Sequence, residues 1–253
     1  MSTLIRDYER FAKEAKEICK GRVYTDHLRR YAYGVDASCY SYLPKVVVKA
    51  EDEREVRRLI RLCQQCGTPF TFRAAGSSLS GQCSSEDVLI VCNDGFKKME
   101  VIDDGKALKC ECGVIGSDAN DLLKPYNRKI GPDPATLATA LVGGILNNNS
   151  SGMCCGTAQN SYKTIRSIRV VLLDGSILDT SDQKSIDQFL KEKPQMVEDL
   201  LQLRKEILAD EELTHLIHHK YKIKNTTGYG LNSLVDFEDI IAVSYTHLTL
   251  PTK

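Results

Sequence analysis

Arg73-Ala74-Ala75-Gly76-Ser77-Ser78-Leu79-Ser80-Gly81 follows directly on Phe70 to Arg73, a run that reads as a strand. Small residues let backbone N–H groups converge on an anion, serine hydroxyls add donors, and Arg73 brings a positive charge to the same turn. Taken alone, the same residues also describe a flexible surface loop. Two familiar phosphate-binding patterns do not apply. Gly76 and Gly81 have the spacing that opens a P-loop, but Gln82-Cys83 stands where Lys-Ser/Thr is required, which argues against nucleoside-triphosphate hydrolysis. No Gly-x-Gly-x-x-Gly follows the first strand, which disfavours a Rossmann dinucleotide site.

Upstream, Val46-Val47-Val48 reads as a buried strand. Asp52 and Glu55 form a capping-box-like start for a helix that turns Val56, Leu59, Ile60 and Cys63 to one side and ends at Gly67. Strand, helix and strand within about thirty residues make a β-α-β unit. Earlier still, Leu4, Tyr8, Phe11, Ala15 and Ile18 space an amphipathic helix within residues 3–20, with Gly21 where a C-terminal cap belongs. Residues 22–44, rich in Tyr and Arg and ending at Pro44, read as an irregular lead-in.

Downstream, Val88 to Cys92, Met99 to Ile102 and Ala107 to Cys112 read as strands, the last two joined by Asp103-Asp104-Gly105. Ile168 to Leu173, Asp174-Gly175 and Ile177 to Thr180 form a hairpin. From Ser185 to Lys222 the pattern turns helical and charged, with Met196, Leu200, Leu203 and Ile207 at helical spacing.

Composition bounds the function. With 253 residues, 42% hydrophobic and 27% charged, the chain is ordinary globular material. Its 34 basic and 34 acidic residues cancel, which argues against a nucleic-acid or anionic-membrane partner. No stretch offers the ~20 apolar residues of a transmembrane segment, and the polar start is unlike a secretory signal, so a cytoplasmic protein is expected. Ten cysteines then read as reduced thiols. Cys63 and Cys66 form the lone Cys-x-x-Cys, without a second pair at zinc spacing. His215, His218 and His219 have the spacing of one helix face and could in principle bind a metal. No carboxylate completes a recognised motif with them, so an exposed face is the reading adopted and no metal site is expected.

A second glycine-rich region runs Gly131-Pro132-Asp133-Pro134-Ala135-Thr136, then Val142-Gly143-Gly144-Ile145-Leu146-Asn147-Asn148-Asn149-Ser150-Ser151-Gly152, with Gly156 shortly after. Its glycines permit close approach of backbone to a flat ligand, and its Asn and Ser side chains supply donors and acceptors. Together with the first loop, Pro44 to Val48, Leu173-Asp174-Gly175 and Thr227-Gly228-Tyr229-Gly230-Leu231, this order resembles the FAD-binding domain of the vanillyl-alcohol oxidase / p-cresol methylhydroxylase superfamily. It is most similar to the D-lactate and D-2-hydroxyglutarate dehydrogenase branch. The stretch Asn147 to Gly156 looks like that of large members that join the flavin domain to an iron–sulfur module, so such a cluster is expected only in a longer parent.

The resemblance implies an α+β fold of the p-cresol methylhydroxylase type, with two subdomains at about 44–105 and 106–182 and FAD between them. Residues 1–43 would be a helix and lead-in, and 183–242 a helical extension toward a cap. Arg73, Ala75, Gly76, Ser77, Ser78 and Gly81 would surround the FAD diphosphate. Pro132, Asp133, Gly143, Gly144, Asn149, Ser151, Gly152 and Gly156 would line the rest of the cofactor. The loop has no His and its nearest thiol is Cys83, so noncovalent FAD is expected. Cys154-Cys155 reads either as a redox pair beside the flavin or, because a vicinal disulfide is strained, as small buried thiols.

The implied reaction is oxidation of a small 2-hydroxy acid, with the electron acceptor open. Catalytic residues are expected beyond the matched segment, in a cap that this chain does not reach. Residues 243–253 look like translated adapter read-through, which points to an amino-terminal portion of a larger enzyme. Two other readings stand beside this one: a noncatalytic flavin- or nucleotide-binding module, and the same fold acting on another alcohol.

Overall fold

Val88-Leu89-Ile90-Val91 is apolar at every position, which suits a strand covered on both faces, and in the computed structural model all four are fully buried. The structure describes residues 6–225 and 230–236. Part of the Gly-Tyr-x-Leu stretch (227–229) and the tail from 243 lie outside the described residues.

In chain order the elements are α1 (Tyr8–Ile18), β1 (Val23–Tyr24), α2 (His27–Ala32), β2 (Val46–Lys49), α3 (Glu53–Gln65), β3 (Phe70–Arg73), β4 (Val88–Val91), β5 (Met99–Ile102), β6 (Ala107–Cys110), α4 (Gly116–Leu123), α5 (Val142–Asn147) and α6 (Ser161–Thr164). There follow β7 (Arg169–Val171), β8 (Ile177–Asp179), α7 (Gln183–Glu192), α8 (Pro194–Ala209), α9 (Glu211–Lys220) and α10 (Asn232–Asp236).

The main sheet has the order β1-β2-β4-β3, with β2 and β3 both parallel to β4 and β1 antiparallel on β2. The expected β-α-β unit is therefore present, but β4 enters between its two strands. The apolar pattern explains this order. β4 tolerates cover on both sides, whereas β3 carries the half-exposed residues Phe70, Thr71 and Arg73 and the exposed Phe72, and takes the edge.

Alternation divides the core between two faces. Val46, Val48, Val88 and Ile90 meet Phe11 and Ala15 of α1 and Leu59, Ile60 and Cys63 of α3, while Val47, Leu89 and Val91 meet Tyr24 and Tyr33 on the other side.

The two helices packed on the sheet, α1 and α3, each have a side-chain cap. Asp7 caps α1 by accepting from the Arg10 amide at 2.9 Å, and Asp52 caps α3 by accepting from the Glu55 amide at 2.7 Å. The reciprocal half of the expected capping box is redirected. Glu55 accepts from the Glu51 amide at 2.8 Å and from both terminal nitrogens of Arg22 at 2.9 and 2.6 Å. A two-pronged charged donor outcompetes one backbone N–H.

Beyond β4, two separate hairpins, β5–β6 and β7–β8, stand among the described residues. The second hairpin lies on a helix rather than on another strand. Arg57 Nε and Gln64 Nε2 of α3 donate to the Gly175 and Leu173 carbonyls at 2.7 Å each, Arg169 grips Glu53 at 2.7 and 3.1 Å, and Val171 packs against the α1–α3 core.

Candidate functional site

Parallel pairing delivers three chain ends to one border. Lys49, Arg73 and Val91 share the last rung, so the segments that follow β2, β3 and β4 all emerge at the carboxyl ends of the strands, where open sheets of this kind bind ligands. A cleft of about 3560 Å³ opens there. Of the residues singled out in sequence, Arg73, Ala75, Gly76, Ser77, Ser78, Pro132, Asp133, Gly143, Gly144, Ser151, Gly152 and Gly156 line it. Gly81 and Asn149 do not. Gly81 has φ +72° and lies against the Tyr40 ring, and Asn149 uses its side-chain oxygen to accept from the Tyr162 amide at 3.1 Å.

The loop after β3 keeps a row of backbone donors unpaired. The amides of residues 74–77 meet no protein acceptor among the described residues, and that of Ser78 lies beside the Cys83 thiol. Consecutive free N–H groups at the wall of a cleft form an anion-binding concavity. Arg73 does not point its charge freely into the cleft. Its guanidinium donates to the Tyr33 carbonyl at 3.2 Å and lies 5.9 Å from the centre of the Tyr33 ring.

The lead-in also touches the loop elsewhere: the Ala37 amide donates to the Gly76 carbonyl at 3.2 Å, and the Cys83 thiol to Asp36 at 3.3 Å. Burial and the neighbouring Asp36 carboxylate push the Cys83 thiol up. Burial also works against the Asp36 charge, but donors from Ser38 and Cys83 outweigh it and hold the carboxyl below the usual range. Tyr33, Asp36 and Ala37 were not legible as site residues. They show no periodicity, and the Tyr and Arg content of the segment was their one sequence signal.

The second glycine-rich region meets the first directly. A Cβ on Gly144 would stand 3.4 Å from that of Ala74, so the two walls of the cleft are one residue's width apart at this point. Gly143 donates to the Cys112 carbonyl at 2.8 Å, which places the glycine pair in the first turn of α5 rather than in an open loop.

Asp133 is a latch. Its carboxylate accepts from the amides of Cys154 and Cys155 at 3.2 Å each, and a Cβ on Gly152 would fall inside 3.0 Å of both its carbonyl and carboxylate oxygens. Hydrogen bonding from Cys155 holds the Asp133 carboxyl below its usual range. The adjacent thiols are divided, Cys155 buried and Cys154 exposed, and all ten cysteines are free. His215, His218 and His219 lie exposed on α9, away from the cleft. No helix among the described residues is long and apolar enough to cross a membrane.

Comparison with known proteins agrees with this geometry. A family model described as FAD binding domain matches residues 44–181. D-2-hydroxyglutarate dehydrogenase of Escherichia coli is 28% identical over 164 residues, which are 63% of this chain and 16% of that protein. Glycolate oxidase subunit GlcD of Bacillus subtilis is 26% identical over 164 residues, 62% of this chain and 34% of that protein. The chain thus spans about a sixth to a third of the length of these curated relatives.

Among solved structures, alkyldihydroxyacetonephosphate synthase superposes with a TM-score of 0.57 at 21% identity, covering 71% of this chain and 36% of the other. p-Cresol methylhydroxylase with substrate bound gives 0.56 at 17% identity, covering 68% and 35%. The fold is accordingly the α+β, p-cresol methylhydroxylase type that the sequence resemblance implied. The matched residues contain both walls of the glycine-lined cleft, and the chain belongs to the FAD binding domain family.

Proposed function

We propose that this chain is the FAD-binding portion of a flavin-dependent dehydrogenase that oxidises a D-2-hydroxy acid of the D-lactate or D-2-hydroxyglutarate class. Residues 44–182 form the cofactor unit, and the match over 44–181 supports that extent. The observation that carries the reading is the row of unengaged amides at residues 74–77, beside a cleft whose opposite wall is the Gly143-Gly144 turn. Those amides, with Ser77 and Ser78, bind the diphosphate; Pro132, Asp133, Gly143, Gly144, Ser151, Gly152 and Gly156 line the remainder. Gly81 and Asn149 act from behind, Gly81 by turning the loop against Tyr40 and Asn149 by holding the Tyr162 amide.

FAD is held noncovalently in this reading, since no described histidine lines the cleft and the thiol beside the loop after β3, Cys83, is committed to Asp36. Bound FAD supplies the acceptor for hydride from the carbon that bears the substrate hydroxyl, while a base takes the hydroxyl proton and a 2-oxo acid is released. The relatives named above as D-2-hydroxyglutarate dehydrogenase and glycolate oxidase subunit support a hydroxy-acid substrate.

The absorption spectrum of the purified chain, with a flavin assay after denaturation, tests the site. Released FAD is the expected result, and a folded, colourless protein that takes up no added FAD overturns it. Bleaching of the bound flavin by D-lactate or D-2-hydroxyglutarate tests the chemistry. A second reading, a noncatalytic flavin-binding module, is favoured by one feature: no described histidine lines the cleft. Stable flavin colour in the presence of both acids would select it.

A further inference from the structure

Arg73 closes β3 at the mouth of the cleft, yet its side chain is spent on the protein. The guanidinium donates to the Tyr33 carbonyl at 3.2 Å, stacks toward the Tyr33 ring, and fills the space beside Gly76, where a Cβ would fall inside 3.0 Å of it. Gly76 has φ +78°, a conformation that glycine adopts at little cost, so the loop turns around the guanidinium. Two further links tie the same strap to the loop: Ala37 N–H to the Gly76 carbonyl at 3.2 Å, and Cys83 to Asp36 at 3.3 Å. Asp36 is itself fixed by the Ser38 amide at 2.8 Å. None of these links uses the amides of residues 74–77. The strap holds the loop and leaves its donors free.

We propose that residues 33–40 are a working part of the diphosphate site, and that Arg73 is a positioning residue that holds the loop amides in place through Tyr33 and Gly76 instead of neutralising phosphate. The inference rests on the reading of this loop as the diphosphate site. A loop ordered in advance spares the ligand the entropy of ordering it, which is how such a strap raises affinity without touching the ligand.

ADP, which carries the adenosine and diphosphate but no isoalloxazine, is the probe. Its binding to the full chain is measured by calorimetry for the wild type and for Arg73→Lys, Arg73→Met and Asp36→Asn, at about 50 and about 300 mM salt. A positioning role predicts that Lys and Met lose affinity alike, by roughly tenfold or more, because Lys has neither the planar fork nor the stacking face. It also predicts an unchanged salt dependence and a smaller loss in Asp36→Asn. Near-wild-type affinity in Arg73→Lys with loss in Arg73→Met, or a flatter salt dependence in Arg73→Met, would show a direct phosphate charge and overturn the proposal.

Amide hydrogen exchange of Ala37, whose N–H is bonded to the Gly76 carbonyl, gives in the unliganded variants a second reading that needs no ligand. Faster exchange in Arg73→Met and in Tyr33→Leu supports the strap, and unchanged exchange overturns it. Failure of the wild type to bind either ADP or FAD would instead sink the diphosphate reading, with the exchange result still deciding whether the strap orders the loop.

Discussion

Gly152 has no room for a side chain, because Asp133 presses both its carbonyl and its carboxylate against the glycine. Gly152→Ala is expected to cost about 1–3 kcal/mol, the range of small overpacking changes, and to weaken FAD binding at least tenfold by prising the latch from Cys154 and Cys155. Thermal melting and flavin titration check the two effects. The Asn-Ser-Gly run marked this segment in sequence, whereas its partner Asp133 was seen as a cofactor neighbour; a carboxylate that caps a distant turn has no local pattern.

Glu55 shows a similar limit of sequence. The cap that Asp52 sets on its amide was legible, its ion pair with Arg22 was not, and that pair leads in setting its titration. Arg22 and the Glu51 amide hold the Glu55 carboxyl below its ordinary range despite partial burial. A depressed folded value stabilises the protein fully above the unfolded pKa of about 4.3, and the contribution is lost as pH falls through the folded value. Denaturant midpoints should therefore drop on the acid side of pH ~4, and Glu55→Gln should flatten that limb while lowering stability at neutral pH by about 1–3 kcal/mol.

At the scale of elements, burial and exposure predict opposite outcomes for two contacts of α3. Leu59 is fully buried between α1 and the sheet, so Leu59→Ala should cost about 2–5 kcal/mol. Arg169 grips Glu53 from the β7–β8 hairpin, but its side chain is 51% exposed, so Arg169→Met should cost no more than about 1 kcal/mol. Paired urea titrations of the two variants measure the contrast. The helices α1 and α3 were legible because one face of each is apolar, and the strands β2 to β6 because short runs rich in apolar residues stand between turn residues. The position of β4 between β2 and β3 was not, since strand order depends on which strand can be covered twice. α5 was hidden for a different reason. Gly143 and Gly144 have poor helix propensity, and the turn forms because Val114 and Cys112 supply carbonyls to Val142 and Gly143.

For the whole molecule, a ligand that binds only the folded chain must stabilise it. FAD at a hundred times its dissociation constant should add about 2.7 kcal/mol, raising the melting temperature of a chain this size by roughly 5–10 °C, with ADP giving a smaller shift. Differential scanning calorimetry checks both, and no shift with FAD would contradict the family assignment. The cleft itself was legible as two glycine-rich walls, because phosphate and flat-ring ligands demand small residues in both. The outer strap at 33–40 was not, because its links to the loop, Arg73 on Tyr33, Ala37 on Gly76 and Cys83 on Asp36, join residues far apart in the chain and leave no local pattern.

The sheet order has one more consequence. Among the described residues β3 is an outer strand with one unpaired border, and its aromatic pair, Phe70 and Phe72, crosses edge to face at 5.6 Å. Such a border invites strands from other molecules, and short length with a terminal charge deters them. β3 has only four residues and ends in Arg73. The four-residue length of this border, and not the engaged side chain of Arg73, is what limits its pairing with a second molecule.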